Sequence, residues 1–115
     1  MRDGAAIDVS QERVGSAAIV RVSGDVDMTG SPRLRDEIRT AQDARPERIV
    51  VDLSEVQYMD SSGLATLVEA MKNAKNKGSL LVLCSMHDKV RGIFEIARLD
   101  QYFTIVDSTD QALNA

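Results

Sequence analysis

Short apolar, β-branched runs alternate along this chain with stretches whose apolar residues recur every three to four positions, so the pattern predicts strands separated by helices. Ile7 to Glu12 reads as a short edge strand and Ala17 to Val22 (Ala-Ala-Ile-Val-Arg-Val) as a second, with Gly15-Ser16 as the turn of a hairpin. Ser23-Gly24-Asp25-Val26-Asp27 is polar and reads as a loop. Ser31-Pro32 opens a helix, with Ser31 as N-cap and Pro32 at the first helical position, where a missing N–H loses no helical bond. Leu34, Ile38 and Ala41 form its apolar stripe, and Arg45-Pro46 ends it.

Ile49-Val50-Val51 with Leu53 reads as a buried central strand. Asp60-Ser61-Ser62-Gly63 opens a second helix, in which Leu64, Leu67, Val68, Met71 and Ala74 share one face. Lys72, Lys75 and Lys77 lie in its last turns, favourable against the helix dipole, and Gly78 is the natural residue just past its end. Leu80 to Cys84 is another strand, Val90, Ile93, Phe94 and Ala97 mark a third helix, and Tyr102 to Val106 is a final strand. Ser108 and Gln111 make a capping-box pair for a short last helix. This order predicts an α/β fold: a mixed, largely parallel sheet of four or five strands packed with about four helices. Residues 1–6 read as a loose start, and residues 1–115 as one domain.

Composition removes several function classes. At 115 residues the chain buries roughly two-thirds of its unfolded surface, enough for one core. A net charge of −4 speaks against a nucleic-acid binder, whose phosphate contacts need a basic face. Two Phe, two Tyr and no Trp leave little for base stacking. Cys84 is the sole cysteine, so no internal disulfide or multi-cysteine metal site forms, and with His87 the sole histidine, zinc or Ser-His-Asp chemistry is hard to assemble. No cofactor or metal is expected. No apolar run approaches the ~20 residues of a membrane span, and Met1-Arg2-Asp3-Gly4 opens without a hydrophobic signal, which predicts a reducing, cytoplasmic setting.

The segment Val50 to Leu64 carries the candidate chemistry. A buried strand leads through a short loop to two hydroxyls at a helix start, where free N–H groups and partial positive charge suit a phosphate. Capping explains the same residues, because Asp and Ser are common N-caps. His87, beside Asp88, reads as a solvated or capping residue, and Cys84 as a small buried hydrophobe.

Met59-Asp60-Ser61-Ser62-Gly63-Leu64, after Ile49-Val50-Val51-Asp52-Leu53, resembles the signature of the STAS-domain anti-sigma factor antagonists. Val22-Ser23-Gly24-Asp25-Val26-Asp27 resembles the acidic loop of the same family, and Phe94, Leu99 and Tyr102 to Val106 fit its last helix and strand. The resemblance implies a partner-switching module and no enzyme. The unphosphorylated protein would bind an anti-sigma factor with serine kinase activity and so release a sigma factor. Phosphorylation of Ser61, with Ser62 as the alternative acceptor, would end that binding, and a metal-dependent Ser/Thr phosphatase would reset it. Asp25, Asp27, Met59, Asp60, Ser62 and Gly63 would contact the partner.

Two other readings stay open on the sequence. A domain of the same family serves as a scaffold or regulatory subunit in a stress-sensing or lipid-transport assembly. A receiver domain carrying an aspartyl phosphate is about this long, and Asp25, Asp27 and Asp52 superficially fit its acids, although the Lys expected late in the chain is missing.

Overall fold

The structure is a computed structural model that describes residues 7–115; the expected loose start at residues 1–6 lies outside the described residues. β1 (Ile7–Val14) and β2 (Ala17–Gly24) pair antiparallel around a turn in which Gly15 takes φ +61°, the left-handed region that glycine enters without penalty. α1 (Ser31–Asp43), β3 (Arg48–Glu55), α2 (Ser61–Asn76), β4 (Leu80–Cys84), α3 (Asp88–Ile96), β5 (Thr104–Val106) and α4 (Thr109–Leu113) follow. The five strands lie in the order β1-β2-β3-β4-β5, and every pair after the hairpin is parallel. This is the predicted mixed, largely parallel sheet with four helices.

The period-two alternation of the strands separates two apolar layers. Val20, Val22, Val51, Leu53, Leu81 and Leu83 meet the stripes of α1 (Leu34, Ile38), α2 (Leu67, Met71) and α3 (Val90, Phe94) on one face. Ile19, Val50, Val82 and Cys84 point to the other face, where Ala112 of α4 covers them. The central strand is therefore apolar on both sides, which is why Ile49-Val50-Val51 reads as a continuous run. Between α1 and α2 the buried Gln42 donates to the Ala70 carbonyl (3.0 Å), so that polar group does not go unpaired.

Several local expectations shift. Ser31 does not cap α1: it is already helical and buried, and Gly30 holds the N-cap position. Both hairpin strands run two residues longer than their apolar content suggests, because antiparallel pairing carries the polar ends along. The last strand is only Thr104–Val106. Phe103 turns into the core instead, edge-on to Phe94 at 5.7 Å, with Tyr102 edge-on to Phe103 at 5.2 Å. Ala97 stands exposed as the C-cap of α3 rather than on its apolar face. At α4, Ser108 accepts from the Gln111 N–H (3.1 Å), but the Gln111 side chain accepts from the N–H of Asp107 and not of Ser108.

Candidate functional site

The acidic loop after β2 and the loop after β3 are joined by the backbone. The Val26 N–H donates to the Tyr58 carbonyl (2.9 Å) and the Asp60 N–H to the Val26 carbonyl (3.0 Å), an isolated parallel bridge between Val26 and Met59. Val26 and Met59 are both buried, so the bridge is anchored by the core below it. Ser23 to Asp27 is thus no free loop: Ser23 and Gly24 finish β2, and Val26 is fixed.

Asp27 is turned into its own turn. Its Oδ1 accepts from the N–H groups of Thr29 (3.0 Å) and Gly30 (3.2 Å), and its carbonyl accepts from Gly30 and Ser31. It thus satisfies the donors of the turn ahead of α1, whose N-cap residue, Gly30, offers no side-chain cap bond. Asp25 is exposed beside it and Asp27 half-buried.

Asp60 is the N-cap of α2. Its Oδ1 accepts from the Ser62 N–H (2.9 Å), the Gly63 N–H (3.4 Å) and the Ser62 hydroxyl (2.6 Å). The Ser62 hydroxyl above all holds the Asp60 carboxyl below its ordinary value; burial opposes this, and the backbone N–H groups of Ser62, Gly63 and Met28 add to the lowering. Asp60 therefore stays a carboxylate.

The two serines are not equivalent. Ser62 is half-buried with its hydroxyl committed to Asp60. Ser61, the first helical residue, is exposed, and its hydroxyl makes no hydrogen bond among the described residues. A phosphate there would stand at a helix N-terminus, where partial positive charge tolerates it, beside the Asp60 carboxylate, which does not.

Of the residues expected at the partner surface, Met59 and Gly63 lie below it. Met59 is 1% exposed, and Gly63 is buried directly against Met59 and Val26, so both shape the site from beneath. The apolar surface at the site comes from two residues the sequence reading passed over, Met28 (78% exposed) and Tyr58 (44%). Tyr58 precedes Met59 on an extended segment, so alternation turns one out when the other is in; nothing in the sequence marks Met28.

The receiver reading loses its acid cluster. Asp52 is buried, accepts from the Ser54 N–H (2.9 Å) and faces Arg21 Nε at 3.8 Å. It lines a concavity of about 270 Å³ with Asp8, Ser10, Arg21 and Ser23, and neither Asp25 nor Asp27 reaches it. Cys84 is fully buried, and that burial pushes its thiol up, away from the reactive thiolate.

A family model described as the STAS domain matches residues 8–112. The chain is 33% identical over 84 residues to an anti-sigma-B factor antagonist of Listeria monocytogenes, an alignment covering 73% of this chain and 74% of that one. It is 30% identical over 108 residues to an anti-sigma F factor antagonist of Paenibacillus polymyxa, covering 93% and 92%. The crystal structure of an anti-sigma factor antagonist from Mycobacterium paratuberculosis superposes with a TM-score of 0.87 at 24% identity, over 99% of this chain and 97% of that one. The chain belongs to the STAS domain family, among the anti-sigma factor antagonists.

Proposed function

We propose that this protein is a phosphorylation-controlled partner switch in the cytoplasm. Unphosphorylated, it binds an anti-sigma factor that is also a serine kinase, and the sequestered sigma factor is released. That kinase phosphorylates Ser61, the complex comes apart, and a metal-dependent Ser/Thr phosphatase restores the free hydroxyl. The observation that carries the reading is the division between the serines: Asp60 and Ser62 close the helix cap between them, and Ser61 is left outward and unoccupied. Phosphorylating Ser61 therefore breaks no hydrogen bond among the described residues.

The charge arithmetic supports a switch of useful size. The phosphate adds roughly −1.5 to −2 charges at pH 7. It would stand next to Asp60, with Asp25 and Asp27 on the adjoining loop, on a surface that loses water when a partner docks. Each ~1.4 kcal/mol of that penalty weakens binding tenfold, so two or three such steps separate bound from free. The exposed Met28 and Tyr58 provide the apolar contact for the partner.

The test is an affinity pull-down from native cytoplasm with unmodified protein, combined with phosphopeptide mapping of the endogenous chain. Recovery of an ATP-binding serine kinase, with phosphate on Ser61, is the expected result. Phosphate on neither serine, with partners from a lipid-transport or sensory assembly, would overturn the anti-sigma assignment and leave the fold untouched.

A further inference from the structure

We infer that His87 is a positioning residue for the Ser61 site and acts through the backbone of Ser54; its functional half rests on the partner-switch reading, its structural half does not. The argument starts from the register of β2 against β3. Ala17 to Arg21 stand level with Arg48 to Asp52, residue for residue. Ser23 is then level with Glu55, so Leu53 and Ser54 together oppose Val22 alone. By the bridge, Val26 is level with Met59, a further residue having been gained on the β3 side.

Such an irregularity is a bulge, and it decides which way the following side chains face, because a slip of one residue turns a strand's whole set to the other side. Past the bulge, Met59 points into the core while Tyr58 points out. The bridge that seats Asp60 then forms.

Ser54 is held at both of its peptide groups by side chains. Its N–H donates to Asp52 Oδ1 (2.9 Å), and its carbonyl lies 2.6 Å from His87 Nε2, which donates to it. Asp52 belongs to β3 itself. His87 comes from the loop after β4, as the residue just ahead of α3, and its ring makes no cap bond to that helix. The bulge is therefore pinned from outside its own strand pair, and the start of α3 is tied to the end of β3, from which the loop that presents Ser61 leaves.

One neutral hydrogen bond at an accessible position corresponds to about a fivefold change in a local equilibrium. Amide hydrogen exchange by NMR on the full chain reads that change directly, at the Val26 and Asp60 N–H groups that make the bridge. In His87→Ala those two amides should exchange about fivefold faster than in the wild type, with the amides of β4 unchanged. His87→Gln, whose side-chain N–H reaches the same carbonyl, should restore the wild-type rates. Unchanged rates at Val26 and Asp60, or an equal acceleration at every amide, would overturn the proposal. Against the kinase recovered by pull-down, His87→Ala should bind about fivefold more weakly and His87→Gln normally; a loosened bridge with undiminished affinity overturns the functional half. Should the wild type itself bind no kinase, the partner-switch reading falls while the exchange result still decides the role of His87.

Discussion

Replacing Gly63 by alanine should destabilise the protein, against the ordinary preference of helices. In a helix interior the exchange of Gly for Ala gains about 1 kcal/mol, and somewhat less in a first turn. Gly63 lies in the first turn of α2, but its missing Cβ is where the bridge packs. An added Cβ would stand 2.6 Å from Met59 Cγ, 2.8 Å from Val26 Cγ1 and 3.1 Å from the Val26 carbonyl oxygen. Carbon pairs prefer ~3.5–4.0 Å, so the first two contacts overlap by roughly 1 Å. Met59 is enclosed by the core and cannot swing aside freely, and the Val26 carbonyl is held by the Asp60 N–H. Overpacking of this kind costs about 1–3 kcal/mol. Set against the gain in propensity, a net loss of about 0.5–2 kcal/mol remains, or about 2–10 °C in Tm for a chain of this size. Urea denaturation with an unchanged m-value, alongside a thermal melt, measures it. Gly63→Ala/Met59→Ala should then be less destabilised than the sum of the single changes by about 1 kcal/mol, since removing Met59 Cγ makes the room. A Gly63→Ala protein as stable as the wild type, or more so, would refute the close-packing account and return Gly63 to the role of an ordinary turn residue.

Other outcomes follow from the same geometry. Ser61→Ala should melt like the wild type and bind the anti-sigma kinase without being released by ATP, which a release assay in the presence of ATP checks. Asp60→Ala should cost about 1 kcal/mol at pH 7 as a lost N-cap. Because the folded Asp60 carboxyl lies below the ordinary 3.8, its contribution is full above that value and is lost as pH falls through the lowered one, so the gap between the two proteins should close only in acid denaturation below about pH 3.8. Leu67→Asp should abolish folding by circular dichroism, since Leu67 is fully buried, whereas Val68→Asp, only partly buried, should fold with reduced stability. Tyr58→Ala should leave the melting curve nearly unchanged and weaken kinase binding about tenfold, because an exposed aromatic beside the serine has little to lose in the free protein.

The parts of this fold legible in the sequence are those governed by period. Val50 and Val51 point to opposite faces and both are buried, so β3 announces itself as an unbroken apolar run; Leu67, Met71 and Ala74 do the same for α2 at helical spacing. The parts that escaped depend on contacts between distant segments. Ser31 reads as the cap of α1, and only the turn geometry puts Gly30 there, with Asp27 holding the turn ahead of it. Met59 reads as a flanking contact until the bridge to Val26 shows it facing inward, and His87 is exposed at the N-cap position of α3 as a solvated or capping residue should be, but no spacing in the sequence marks its 2.6 Å bond to the Ser54 carbonyl. Asp60-Ser61-Ser62 shows most clearly why spacing alone could not decide between a cap and a switch. The first two helical residues are adjacent in sequence but have opposite tasks: the second folds back on the capping carboxylate and the first has nothing to fold back on. A capped helix start carrying two serines therefore ties one hydroxyl to the cap and leaves the other outward. A single serine at the second position would have served the cap and left no outward hydroxyl, so on the proposed reading the doubled hydroxyl after Asp60 is what lets a phosphate be added at a helix terminus without weakening the cap.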